Sequence, residues 1–176
     1  MSKFIISIDQ GTTSSRAILF NIKGQPIFSS QKEFKQYFPK SGWVEHDPEE
    51  IWSTTKKTLL DVIKKARALK GKILTIGITN QRETTILWDK KTGKAVYKAI
   101  VWQDRRTSSF CEKLVAEGHE GEIKKRTGLV LDPYFAGTKM RWMLDNIPEV
   151  ADAQKRGTLR FGTIDSWLVY KLSGGQ

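Results

Sequence analysis

The stretch Phe4-Ile5-Ile6-Ser7-Ile8-Asp9-Gln10-Gly11-Thr12-Thr13-Ser14-Ser15-Arg16-Ala17-Ile18-Leu19-Phe20 decides the fold. Phe4 to Ile8 is a short apolar run rich in β-branched residues, the pattern of a buried strand. Asp9 to Ser15 interrupts it with turn formers, and Arg16 to Phe20 resumes an apolar strand. The spacing predicts two strands closed into a hairpin around a polar tip.

That tip carries chemistry. Gly11 lets the backbone turn tightly and approach a ligand without a Cβ in the way. Successive backbone N–H groups in such a turn form a concavity for anions. Thr12, Thr13, Ser14 and Ser15 add hydroxyls, and the planar cation of Arg16 suits phosphate. The Asp9 carboxylate would repel phosphate unless a cation lay between them, so its place fits Mg²⁺ held directly or through water. The pattern is neither GxxxxGK[ST] nor GxGxxG. An ordinary polar hairpin, with Asp9 capping a backbone turn, would use the same residue types.

Working outward, Asn21 to Gly24 reads as a second turn and Pro26 to Phe34 as a third strand. Asp47-Pro48-Glu49-Glu50 is a helix start, with Asp47 as cap, Pro48 in the first turn and Glu50 closing a capping box. Trp52, Leu59, Val62, Ile63 and Ala66 follow at helical spacing, and Gly71 stops the helix. Ile73 to Ile78 is apolar throughout, the pattern of a strand covered on both faces. Thr84–Trp88 and Ala95–Val101 flank a hairpin turn at Asp89–Gly93. Helical patterns begin near Thr107, Gly121, Thr138 and Ile164, with a short strand at Leu159–Phe161. Three strands, a helix and another strand predict an α/β domain with a mixed central sheet flanked by helices.

With 39% hydrophobic and 28% charged residues, the 176-residue chain can build a core and is not of disordered composition. Its net charge of +11 could attract anionic partners. The basic residues are scattered, however, as Lys56-Lys57, Lys64-Lys65, Lys90-Lys91 and Lys124-Lys125-Arg126. That scatter, with no zinc-ligand spacing or aromatic-basic RNA motif, argues against nucleic acid. A single cysteine, Cys111, excludes a disulfide within the chain and suits a reducing cytoplasm. No signal peptide or membrane span is read at the N-terminus. His46 before a helix cap and His119 in a Gly-Glu turn are two isolated histidines and do not make a metal site. Asp165 stands where it could support a helix N-terminus.

A second constellation concerns hydroxyl recognition. Arg82 is donor-only and the ionised Glu83 acceptor-only, so side by side they could hold two neighbouring hydroxyls. Trp102 could supply an apolar wall, and Tyr134 a phenol with further wall. Taken singly, these residues read equally as a solvated ion pair, a core aromatic and a turn-packing tyrosine.

The whole chain resembles the carbohydrate kinases of the actin-like ATPase fold. Asp9-Gln10-Gly11-Thr12-Thr13-Ser14-Ser15-Arg16 is similar to the family's first phosphate motif. Gly42-Trp43-Val44-Glu45-His46-Asp47-Pro48, Gly77-Ile78-Thr79-Asn80-Gln81-Arg82-Glu83-Thr84 and Val101-Trp102-Gln103-Asp104-Arg105-Arg106 resemble family segments in the same order. So do Asp132-Pro133-Tyr134-Phe135 and Gly162-Thr163-Ile164-Asp165-Ser166-Trp167. The resemblance implies an actin-like ATPase / ribonuclease H-like α/β domain. It implies that Thr12, Thr13, Ser14 and Arg16 face ATP phosphates, that Asp9 organises Mg²⁺, and that Arg82, Glu83, Trp102 and Tyr134 line a glycerol site. Asp104 and Arg105 receive no catalytic role.

The implied reaction is ATP-dependent phosphorylation of glycerol to sn-glycerol 3-phosphate. Residues 1–176 would form the N-terminal, substrate- and phosphate-binding domain of a two-domain kinase. They would stop before that domain is complete, with the aspartate that serves as general base and the nucleotide domain lying downstream. The chain alone is then expected to be inactive, and the full-length kinase to form homo-oligomers. Alternatives are another sugar or polyol kinase of the same family, or an actin- or chaperone-like ATPase domain, which would have no reason to carry Arg82-Glu83 with Trp102 and Tyr134.

Overall fold

A computed structural model describes residues 2–176. The opening segment forms three antiparallel neighbours, β1 (Lys3–Gln10), β2 (Ser14–Asn21) and β3 (Pro26–Glu33). Alternation is strict on β1, where Phe4, Ile6, Ile8 and Gln10 are buried. A period of two turns those residues to one face and Ile5, Ser7 and Asp9 to the other. After β4 (Glu45–His46), helix α1 (Pro48–Ala68) crosses the buried face. It buries Ile51, Leu59, Val62 and Ala66 against the strands. Each such aliphatic side chain contributes roughly 1.5–3 kcal/mol where it is fully removed from water.

Asp47 caps α1 as expected, its Oδ1 accepting from Glu49 N–H at 2.9 Å and Glu50 N–H at 3.4 Å. The capping box does not close, because the Glu50 carboxylate accepts from Lys35 N–H instead. At the other end the left-handed residue is Lys70, at φ 50°. Gly71 follows for want of space: a Cβ there would lie 2.0 Å from the Phe4 ring.

The chain then returns as β5 (Lys72–Asn80), parallel to β1, and completes the order β3-β2-β1-β5. The expectation of a strand covered on both faces is corrected here. Leu74 and Ile76 are 47% and 39% exposed, because little packs over the face they share on β5, which is also the edge strand of this sheet.

The remainder is a smaller layer. β6 (Ile86–Asp89) pairs with β7 (Lys94–Ala95) and with β9 (Leu159–Gly162), while β8 (Ala99–Ile100) pairs with β4. The segment read as one strand from Ala95 to Val101 is thus divided between two sheets. The helices are α2 (Ser108–Ala116), α3 (Glu120–Thr127), α4 (Ala136–Asn146), α5 (Pro148–Lys155) and α6 (Ile164–Leu172). Helix α5 was not read from the sequence, although Pro148 in its first turn marks its start. Trp167 of α6 is fully buried and donates its indole N–H to the Pro48 carbonyl at 3.0 Å, tying the second layer to α1. Among the described residues, no helix is long and apolar enough to cross a membrane.

Candidate functional site

The parallel β1–β5 pair ends at Gln10 opposite Asn80, so the segments that follow both strands leave the sheet side by side. Gln81 N–H extends the contact, donating to the Gln10 carbonyl at 2.7 Å. Between these segments lies a cavity of about 270 Å³ lined by Thr12, Asn80, Gln81, Arg82, Trp102 and Tyr134. Arg82, Trp102 and Tyr134 therefore share one cavity with Thr12, a residue of the phosphate turn. The Trp102 and Tyr134 rings meet edge to face at 5.9 Å, and the Trp102 indole N–H donates to Thr12 Oγ1 at 3.1 Å.

Glu83 stands behind this wall. It sits in a three-residue turn closed by Thr84 N–H donating to the Arg82 carbonyl at 2.8 Å. Its φ of 61° is the rare, strained hand of the γ-turn. The turn sends the Glu83 carboxylate to the start of α4, where Oε2 accepts from Ala136 N–H at 3.0 Å. A carboxylate at a helix N-terminus is favourably placed. One Glu83 oxygen thus anchors the loop that carries Tyr134, while Arg82 beside it is exposed toward the cavity.

That loop has a second anchor. Lys139 is fully buried, and its ammonium donates to the carbonyls of Tyr134 and Phe135. Burial pulls the amine down to about 8, against the raising influence of Glu83, Asp104 and Asp132. Asp132 Oδ1 in turn accepts from Tyr134 N–H at 2.7 Å. Asp104 is saturated by Val44 N–H and by Arg106, in keeping with its lack of a catalytic assignment. Arg105 pairs with Asp132 at 3.4 Å on the surface.

In the phosphate turn, Gly11 N–H donates to the Ser14 carbonyl at 2.9 Å. A Cβ on Gly11 would meet only that oxygen, at 3.5 Å, so the turn itself does not demand glycine. Asp9 and Arg16 face each other across the β1–β2 ladder and form an ion pair, both side chains partly exposed. Arg16 Nε is buried without a partner, a donor lacking its acceptor. Thr13 is exposed, and Ser14 Oγ accepts from Gln31 at 2.9 Å. Ser15 departs from the sequence reading. The alternation of β2 turns it inward, where its hydroxyl bonds to Thr54 and Thr55 of α1 rather than facing a ligand.

Among the described residues, no three His, Cys, Asp or Glu side chains form a metal cluster. Magnesium is commonly held by one or two carboxylates together with substrate phosphates. Asp9 supplies one such carboxylate and would leave the remaining ligands to a bound phosphate and water.

Sequence reasoning missed the amides beneath the cavity. Gln81 Nε2 lies 3.0 Å from Gln10 Oε1, 3.1 Å from the Gly11 carbonyl and 3.3 Å from His46 Nδ1, so its two hydrogens are shared among three acceptors. On the other side of the imidazole, His46 Nε2 meets Gln36 Oε1, and Gln36 Nε2 donates to the Thr12 carbonyl at 2.9 Å. Thr84 Oγ1 donates to Gln81 Oε1 at 2.8 Å and accepts from Trp102 N–H at 3.3 Å. His46 is fully buried, and burial lowers its pKa to about 4, so the ring is neutral at pH 7. The available signal was position: Gln10 directly precedes the phosphate turn and Gln81 directly precedes Arg82.

Residues 4–176 match the model of the FGGY family of carbohydrate kinases, N-terminal domain. The chain is 59% identical to a glycerol kinase of Oceanobacillus iheyensis over 99% of its own length and 35% of the relative's. It is 56% identical to a glycerol kinase of Staphylococcus haemolyticus over 100% of its length and 35% of that protein's. Its structure superposes on the crystal structure of Plasmodium falciparum glycerol kinase with ADP at a TM-score of 0.93. The two are 35% identical, over 99% of this chain and 35% of the other. The chain thus spans about a third of the length of the relatives it matches, and it shares their actin-like ATPase architecture.

Proposed function

Because the chain belongs to the FGGY family of carbohydrate kinases, we propose that it supplies the phosphate turn and most of the polyol pocket of a kinase that converts glycerol and MgATP to sn-glycerol 3-phosphate and MgADP. The observation that carries this reading is the shared cavity. Arg82, Trp102 and Tyr134 open onto the same space as Thr12, so a bound polyol would lie beside the transferable phosphate.

The roles follow from the chemistry of each group. Arg82 donates to a hydroxyl, and Glu83 holds the pocket wall through Ala136 with its second oxygen left to accept from another. Trp102 and Tyr134 cover the carbon chain. Such a site rejects analogues lacking a hydroxyl, because its polar groups would be left unpaired. Thr12, Thr13 and Ser14 contribute hydroxyls to the phosphates. Asp9 would be the residue to hold the cation, and Arg16, whose Nε lacks an acceptor, would then be free to meet the phosphates. Magnesium would neutralise charge on the nucleotide phosphates.

Among the described residues no aspartate lines the cavity, and of those nearby Asp9 is ion-paired and Asp104 is saturated. The proton acceptor therefore comes from the part of the kinase that these residues do not match. This chain alone should fall far short of the roughly 1–100 s⁻¹ typical of kinases.

The test is calorimetric titration of the chain with glycerol, xylulose and gluconate, with Arg82→Ala as control. Heat of binding with glycerol alone, lost in the variant, is expected. A preference for xylulose or gluconate would move the assignment to another sugar kinase of the family.

A further inference from the structure

Beneath the cavity the two halves of the site are joined directly, by Gln81 to Gln10 and Gly11, and also through one imidazole that reaches the Thr12 carbonyl by way of Gln36. The hydrogen bonds of that imidazole can run in a single direction. Gln36 spends its amide nitrogen on the Thr12 carbonyl, so it turns its oxygen to His46. Gln81 spends its amide oxygen on the Thr84 hydroxyl, so it turns its nitrogen to His46. The ring must then donate from Nε2 and accept at Nδ1, which is the neutral form with one fixed tautomer. A proton on Nδ1 would set two donors against each other.

Through these bonds His46 touches both segments at once. On one side Gln36 fixes the carbonyl of Thr12 in the phosphate turn. On the other Gln81 fixes the carbonyl of Gly11 and, through Thr84, the backbone of Trp102. On the ligand side the Trp102 indole bond to Thr12 joins the same two walls. The Phe34 ring packs edge-on to the imidazole at 5.0 Å.

We propose that His46 is a positioning residue which, through Gln36 and Gln81, fixes the phosphate turn relative to the polyol wall and so sets the rate of transfer rather than the affinity for either ligand. The inference rests on the polyol-kinase reading. A displacement of about 1 Å between reacting groups can cost about a hundredfold in rate, and an interaction of this kind is felt in kcat more than in KM.

The experiment is steady-state kinetics on the complete polypeptide that carries these residues, with glycerol and MgATP each varied. His46→Phe keeps an aromatic ring but cannot bridge. Gln36→Leu cuts the link on the phosphate side alone and serves if His46→Phe fails to fold. Either variant, folded by thermal melting, is expected to lower kcat by about ten- to a hundredfold, with both KM values within about threefold of the unmodified enzyme. His46→Gln, whose amide both donates and accepts, should recover part of the loss. An unchanged kcat in a folded variant, or a loss confined to KM, overturns the inference while the function stands. An unmodified enzyme that phosphorylates no polyol overturns the function and the inference together.

Discussion

The cavity side and the α2–α3 flank are built on opposite plans. Around the cavity, Gln10, His46, Gln81, Thr84, Asp104 and Lys139 are all buried, and each has hydrogen-bond partners. On the flank, α3 buries no residue and α2 buries only Cys111. The flank's ion pairs, Lys113–Glu117 and Arg126–Glu122, lie in solvent. The contrast shows where fixed geometry is built in. Buried polar groups are costly when unpaired, so a fully paired set specifies one arrangement. A solvated helix needs only to cover what lies beneath it.

The comparison can be broken most severely at Arg106. Its side chain is fully buried against the rings of Trp43 and Trp142, at 3.8 and 4.6 Å, and it bonds to Glu45 and Asp104, with Nη1 alone left unpartnered. Arg106→Met would leave two carboxylates buried without a cation. A loss of about 3–5 kcal/mol is expected in urea denaturation. A midpoint close to that of the parent would show that the cavity side is not held by paired buried charge.

Acid probes the same region more gently. The folded-state pKa of His46 is about 4 against an ordinary 6.5, so between these values the unfolded chain binds a proton that the folded chain refuses. Stability from this group is complete above pH 6.5 and is lost as pH falls toward 4, by about 3 kcal/mol in all. Denaturation of the parent and of His46→Phe at pH 7 and 4.5 measures it. The histidine-dependent part should vanish in the variant, and equal acid sensitivity in both would assign the effect to other groups.

The smallest effect belongs to the flank. Glu122→Ala removes an ion pair whose side chains are 55% and 75% exposed. It should change stability by less than about 0.5 kcal/mol. A larger loss would mean that α3 is part of the rigid framework, and the contrast with the cavity side would narrow.

The legibility of the sequence follows the same division. The hairpin of β1 and β2 and the Asp47 cap are local properties, and local patterns report them, whereas Arg82, Trp102 and Tyr134 were grouped through the family resemblance, and the fold places all three on one cavity. The orientation of Glu83 is not local. Its carboxylate reaches α4 because of a left-handed turn that no residue preference announces. The exposure of β5 depends on what packs over its face, which an apolar run cannot state. Ser15 was grouped with its neighbours by residue type, whereas strand alternation assigns it to the core. The glutamines under the cavity carry neither charge nor periodicity, and only the fold reveals that they meet around His46.

The edge position of β5 also has a meaning in time. β1 and β2 meet across a short turn, but β1 and β5 pair Phe4 with Ile73 and Gln10 with Asn80, across the whole of α1. Contacts so distant along the chain close late, because the intervening loop must be ordered first. The strand that closes late also leads into Gln81, Arg82 and Glu83. During refolding, recovery of the proposed glycerol binding should therefore lag the far-ultraviolet signal, and simultaneous recovery would refute that order. Docking does not remove the hazard that goes with this strand: among the described residues β5 keeps one edge unpaired, with Leu74 and Ile76 still partly exposed, a template for other chains.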